Sequence, residues 1–209
     1  MDPQLEPAAS RAAAPADLPA AERRALRERD ADALALFYDA YFDQVYGYVR
    51  RLLREEHLAE DVTQDIFMHI HRALPSYDPE RPLRPWVFTI ATNKVRDHWR
   101  SRRHREMQHE RSADDGRGGL SDVSAHHGPG DAVEAGELSE VVAQAIDELP
   151  EILKTTLMLR YYEGLSFAEI GAMVDRNEVA VRKRYSRALE ELRLRLRKHL
   201  GADGGALDA

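Results

Sequence analysis

Apolar residues recur along this chain at three- and four-residue intervals in several separate stretches. From Ala31 they fall at Leu34, Phe37, Tyr38, Tyr41, Val45, Tyr48, Val49 and Leu52, which predicts one amphipathic helix ending near Leu53. Val62, Ile66, Phe67 and Ile70 predict a second, from about Leu58 to Leu74. Pro75, Pro79, Pro82 and Pro85 then break the pattern, because proline lacks the amide that a helix interior needs. A third helix is predicted from Pro85, a favoured first-turn residue. It buries Trp86, Val87, Ile90 and Val95, while Trp99 suits either a core or a stacking position.

Periodicity lapses over residues 106–136, where Gly116, Gly118, Gly119, Gly128, Pro129, Gly130 and Gly136 read as a flexible linker. It resumes with Val141, Val142, Ala145, Ile146 and Leu149. After Pro150 come Ile152, Leu153, Leu157, Met158 and Tyr161, with Gly164 as a natural stop. No stretch alternates with strand period. The expected fold is all-α, with two small helical domains: three to four helices in residues 30–105 and four in 138–200. Residues 1–29 read as a disordered lead-in, 106–137 as the linker and 201–209 as a disordered tail.

The end of the second domain carries finer detail. Ser166 and Glu169 form a Ser-x-x-Glu capping box opening a short helix, Phe167 to Val174. Asn177 suits the N-cap of the next helix, which continues to about Leu200. A tight turn at Asp175-Arg176 between the two gives a helix-turn-helix, with Gly171 small where the helices cross and Val181 anchoring the second to the first. Asp175 stands where the turn calls for positive φ, which Asp tolerates better than most residues. Arg182, Lys183 and Arg184 follow within two turns, in reach of phosphates and base edges in a major groove.

The net charge of −7 is unlike that of a nucleic-acid binder until it is mapped along the chain. Residues 94–105 hold six basic side chains (Lys94, Arg96, Arg100, Arg102, Arg103, Arg105) against Asp97 alone, and residues 182–198 hold eight against Glu190 and Glu191. Between them, residues 106–140 hold nine acids against Arg111 and Arg117. A polyanion responds to the local patches, not to the sum.

Other classes of function find little support. There is no cysteine, which removes disulfides, thiolate metal sites and thiol redox chemistry and fits a reducing cytosol. Residues 1–21 lack a basic-then-apolar export pattern, and no apolar run reaches the ~20 residues that span a bilayer, so a cytoplasmic protein without membrane insertion is expected. His69 and His71 are two apart on a helix and share no face, and His126-His127 sit among glycines. Neither makes a metal-ligand set, and no phosphate-cradling loop or nucleophile elbow is present. Neither an enzyme nor a cofactor or metal is expected.

Two groups of motifs resemble one family, the extracytoplasmic-function (ECF) type of bacterial RNA polymerase sigma factor, over about residues 33–200. In the first domain they are Glu60-Asp61-Val62-Thr63-Gln64-Asp65-Ile66-Phe67, the run Arg84-Pro85-Trp86-Val87-Phe88-x-Ile90-Ala91-x-Asn93, and Asp97-x-x-Arg100-x-Arg102-Arg103. In the second they are Leu149-Pro150, Tyr162-Glu163-Gly164-Leu165-Ser166, Glu169-Ile170-Gly171 and Val181-Arg182-x-Arg184-x-x-Arg187-Ala188. Asp175 departs from the turn glycine usual in the family, and Val179-Ala180 from its common small-then-Thr/Ala pair.

The resemblance implies a sigma region 2 domain and a region 4 domain that bind core RNA polymerase and promoter DNA, both as duplex and as melted single strand. Asp61, Gln64 and Asp65, on a face opposite Val62, Ile66 and Ile70, would meet the polymerase clamp helices, since an acidic face suits a basic partner. Tyr77, Asp78, Asn93, Lys94, Arg96, Trp99, Arg100 and Arg103 would open and hold the −10 element, with the loop Ser76–Glu80 as a base pocket. Arg176, Asn177, Arg182, Lys183, Arg184 and Arg187 would contact the −35 element; which of them touch bases stays open. The acidic linker would lie in the polymerase's nucleic-acid channel, and an anti-sigma factor is an expected partner. The alternative is a helix-turn-helix regulator acting without core polymerase.

Overall fold

The computed structural model of the chain describes residues 17–113 and 133–203. The described residues form helices α1 (Ala20–Arg27), α2 (Ala31–Leu53), α3 (Glu56–Ala73), a 3-10 turn at Leu74–Ser76, then α4 (Leu83–Ala113), α5 (Val133–Asp147), α6 (Glu151–Tyr161), α7 (Phe167–Met173) and α8 (Glu178–Asp203). No strand occurs among them. The all-α, two-domain architecture is therefore as expected, with α1–α4 in the first domain and α5–α8 in the second.

Local signals set most boundaries. Asp30 caps α2 by accepting from the amides of Asp32 and Ala33 at 3.1 and 3.0 Å. The helix ends at Arg54, whose φ of 63° is left-handed. The first core joins Phe37, Tyr41, Val45, Tyr48 and Leu52 of α2 to Ile66, Phe67 and Ile70 of α3 and Val87, Phe88 and Val95 of α4. The buried Tyr48 hydroxyl is satisfied by Thr92 Oγ1 at 2.8 Å, tying α2 to α4. The second core gathers Leu153, Leu157 and Met158 of α6 with Ile170, Val181 and Ala188 of the last two helices.

Three expectations need correction. Residues 1–29 do not all form an unstructured lead-in: residues 20–27 are the helix α1, and Leu26 on it is fully buried. The stretch expected as linker, 106–137, is helical at both ends, since α4 continues to Ala113 and α5 begins at Val133. Tyr38, read with the core residues of α2, is 47% exposed. The expectations for residues 1–16, 114–132 and 204–209 lie outside the described residues.

The domains meet along a polar seam. Arg84 near the start of α4 donates to the Glu163 carbonyl from Nε and Nη2 at 3.1 and 2.9 Å, and to the Glu163 carboxylate at 3.2 Å. Arg51 of α2 lies 3.7 Å from the other carboxylate oxygen, and its guanidinium covers the Tyr162 ring at 4.3 Å. Arg54–Asp147 at 2.8 Å and Arg103–Glu151 at 3.2 Å extend the seam.

Candidate nucleic-acid interface

The helix-turn-helix is built from short-range contacts. The capping box is complete: the Ser166 amide donates to Glu169 Oε2 at 2.7 Å, and the Glu169 amide donates to Ser166 Oγ at 3.2 Å. Asp175 has φ of 51°, so the chain reverses there in the left-handed region. The Arg176 amide then donates to the Gly171 carbonyl at 2.9 Å. A Cβ on Gly171 would lie 2.5 Å from the Arg176 carbonyl oxygen, so this position takes glycine because turn backbone fills the space. Asn177 Oδ1 accepts the Ala180 amide at 2.8 Å and caps α8. Val181 and Ala188 are buried under α8, fixing which face looks outward.

On that outward face Arg176, Asn177, Arg182, Lys183 and Arg187 are exposed. Arg182 pairs with Glu178 at 2.6 Å and covers the Phe167 ring at 4.9 Å; Arg187 lies 3.9 Å from Glu191. Exposed pairs of this kind contribute about 0–1 kcal/mol, so exchanging them for phosphate contacts costs little. Arg184 is half-buried. Burial, then the nearby charges of Arg176 and Arg96, hold its pKa below the usual arginine range.

Arg96 belongs to α4, whose basic run forms the second cationic surface. Asn93 and Arg100 are exposed, while Lys94, Arg96 and Trp99 are half-buried, with Trp99 packed against the core. Arg100 is paired with Asp97, and the exposed Arg103 with Glu151. Trp86 is also half-buried, and its ring lies 4.8 Å from that of Tyr77. Tyr77 itself is 2% exposed, and its hydroxyl donates to the Arg81 carbonyl. As a direct −10 contact it is therefore corrected: in this arrangement it shapes the loop from inside. Asp78 remains exposed at the loop tip, accepting the Glu80 amide at 3.1 Å.

On α3, Asp61, Gln64 and Asp65 all lie on the exposed face, with Thr63, Ile66 and Phe67 buried behind them. Beside them runs an aromatic ladder that the reading of the sequence missed. Tyr38 and Phe42 stack at 6.0 Å and Phe42 and Tyr46 at 6.4 Å, while Phe67 lies 4.6 Å from Tyr38. Its signal is the spacing 38, 42, 46, one helical row beside the buried one. Glu163, part of the Tyr162-Glu163-Gly164-Leu165-Ser166 motif, is 3% exposed at the domain seam. Burial pushes its carboxyl up to about 7, partly offset by Arg84 and Arg51.

Comparison with known proteins agrees with this geometry. The family described as Sigma-70 region 2 matches residues 37–105, and Sigma-70, region 4 matches residues 139–192. The chain is 33% identical over 174 residues to the ECF RNA polymerase sigma factor SigW of Bacillus subtilis, covering 82% of this chain and 93% of that one. It is 30% identical over 172 residues to the ECF RNA polymerase sigma factor SigK of Mycolicibacterium vanbaalenii, covering 81% and 85%. Two solved structures share the fold. CnrH in complex with the cytosolic domain of CnrY has a TM-score of 0.61 at 23% identity, covering 88% of this chain and 98% of that one. The sigma factor RpoE in complex with the anti-sigma factor NepR from Bartonella quintana has a TM-score of 0.60 at 18% identity, covering 78% and 96%.

These matches define an RNA polymerase sigma factor, a transcription initiation factor that directs polymerase to promoters. Within that class the chain belongs to the ECF sigma factors. Among the described residues no helix is long and apolar enough to cross a membrane.

Proposed function

We propose that this sigma factor divides promoter recognition between the two cationic surfaces and docks on core RNA polymerase through α3. The reading is supported by one observation above others: a single chain carries two basic readers on separate helices, α4 and α8, and an acidic face on a third helix. Asp61, Gln64 and Asp65 meet basic helices of the polymerase clamp. The loop around Asp78, with Asn93, Lys94, Arg96, Trp99, Arg100 and Arg103, receives the melted −10 strand, where a cationic track holds the backbone and polar edges read splayed bases. Arg176, Asn177, Arg182, Lys183, Arg184 and Arg187 hold the −35 duplex. Phosphate-directed members act on every sequence alike, and base-directed ones discriminate.

The protein acts in the cytoplasm, without catalysis of its own, and is restrained by an anti-sigma factor. One solved structural neighbour is a sigma factor captured with an anti-sigma factor, and another, CnrH, is captured with the cytosolic domain of CnrY. The experiment is reconstitution with core polymerase, with the starts mapped genome-wide. Asp61→Lys with Asp65→Lys should abolish core binding while the helical signal and melting curve of the free protein stay unchanged. Normal run-off transcription by that double variant would overturn the docking assignment.

A further inference from the structure

The loop between the 3-10 turn and α4 is fastened by a segment that lies wholly before the Sigma-70 region 2 match at residues 37–105. Arg23 of α1 donates from Nε to the Pro79 carbonyl at 2.9 Å and from Nη1 to the Leu18 carbonyl at 2.5 Å. Its side chain is only 16% exposed. Asp17, just before α1, works on the other end of the loop. One carboxylate oxygen accepts the Leu83 amide, the first of α4, at 2.8 Å, and the other accepts the Tyr41 hydroxyl at 2.9 Å. Arg24 adds an exposed pair to Glu80 at 2.7 Å. Leu26, fully buried, holds α1 in place.

The consequence is mechanical. Asp78 and Glu80, the polar groups at the loop tip, flank Pro79, whose carbonyl is taken by Arg23. Proline fixes its own φ, so anchoring that one carbonyl and the amide at Leu83 restrains the backbone on both sides of the tip. Tyr77 closes the remaining end from inside, through its hydroxyl on Arg81 and its ring against Trp86. A pocket for an unstacked base must be held to within about 0.5 Å to discriminate, and that precision comes from supporting contacts, not from the pocket's own residues.

We propose that Asp17 and Arg23 are positioning residues for the −10 base pocket, so that the segment 17–27 is part of the strand-opening machinery. The inference rests on the assignment of the Asp78 loop as that pocket. Arg23→Ala frees the Pro79 carbonyl and lets the loop tip wander; the duplex reader on α8 is untouched.

The test uses holoenzyme assembled from core polymerase and the full chain. The probe is a pool of fork-junction DNAs with a fixed −35 duplex and a randomised non-template −10 overhang, with bound and free fractions sequenced. Arg23→Ala should flatten base preference at the captured position by about tenfold, the scale of one hydrogen bond from a charged donor. Affinity for core polymerase and for duplex −35 DNA should stay unchanged. Arg23→Lys, which keeps a donor, should recover part of the preference, and a simple loss of folding would not give that ranking. Thermal melting checks the fold; if Arg23→Ala lowers the melting point, Arg23→Gln takes its place in the comparison. Asp78→Ala separates the two ideas. Unchanged preference in Asp78→Ala removes the pocket assignment itself. Lost preference in Asp78→Ala with full preference in Arg23→Ala and Arg23→Gln overturns the brace alone.

Discussion

The helix-turn-helix and the loop before α4, to which we assign two halves of one task, are held in opposite ways. In the second domain every defining contact is local: a Ser166–Glu169 box, a left-handed Asp175, a Gly171 carbonyl bonded five residues on, an Asn177 cap. In the first domain the loop is held by partners far along the chain, with 56 residues between Arg23 and Pro79 and 66 between Asp17 and Leu83. A reader of duplex DNA can be a rigid unit, because the double helix presents a fixed groove. A receiver of single-stranded bases must shape a pocket from loop backbone, and loops owe their order to what packs against them.

Glu163 joins the two regimes, since it belongs to the second domain but finds its arginines in the first. The largest expected effect is therefore at the seam. Arg84→Ala leaves a buried carboxylate facing only Arg51 at 3.7 Å. Truncating one partner of a buried pair costs about 3–5 kcal/mol while the other stays charged, so well above the Glu163 titration near 7 two tethered domains can avoid that cost by separating. Fluorophores on α2 and α6 should accordingly move apart in Arg84→Ala, while the melting curve of each domain stays in place. An unchanged distance would mean that the other contacts between the domains carry the seam.

The seam should also respond to pH. The Glu163 carboxyl titrates near 7 in the packed state against an ordinary value of 4.5. The packed arrangement therefore binds the proton more tightly than the separated one. Its advantage is fully present below about pH 4.5 and fades as pH rises through 7, by at most ~3 kcal/mol over that window. Interdomain transfer efficiency should rise on acidification from pH 8 to pH 6, and Glu163→Gln, neutral throughout, should remove that dependence. A dependence that survives in Glu163→Gln assigns the titration to another group.

Within the second domain the local construction makes a sharper prediction. Gly171→Ala places a methyl 2.5 Å from a backbone oxygen of the turn, which cannot swing aside as a side chain would. Overpacking of this kind costs about 1–3 kcal/mol. Duplex −35 binding and the stability of α5–α8 should fall together, whereas fork-junction capture by the first domain should persist. Equal loss of both activities would show that the two readers are not held independently.

The same contrast explains what the sequence made legible. The capping box, the positive-φ aspartate and Val181 act close together along the chain and the structure keeps each as expected, while Gly171 is small for the turn backbone at Arg176 and not for a helix crossing. The helix α1 was missed because its own pattern is thin: Leu26 is its one buried side chain, set among arginines, alanines and glutamates that resemble a solvated lead-in. What holds it, the core around Leu26 and the Pro79 carbonyl that Arg23 bonds, lies in no short window. Tyr77 is expected as a contact because the resemblance makes its loop a base pocket; only the fold shows its hydroxyl turned inward to Arg81. Tyr38 fell on the predicted apolar face because 37 and 38 are adjacent, and periodicity alone does not say which of two neighbours is covered.

The smallest expected effect tests whether the turn of the helix-turn-helix is tuned or merely tolerated. At φ of 51° Asp175 sits where an L-residue is strained and glycine is not. No side-chain bond of Asp175 offsets this; the Arg176 guanidinium reaches its backbone carbonyl at 2.7 Å, a contact that glycine would keep. Asp175→Gly relieves the strain but gives the unfolded chain more freedom to lose, and the two oppose each other. Because the native φ is positive, relief should win, for a net gain of about 0.5–1 kcal/mol and a rise of a few degrees in the melting point of the second domain. The substitution also removes a negative charge beside Arg176, which we assign to the −35 duplex, so −35 affinity should rise modestly at low salt and converge with the parent at high salt. A lower melting point would mean that the aspartate stabilises the turn through solvent or the helix dipole of α8, and that the second domain is less purely local than its contacts indicate.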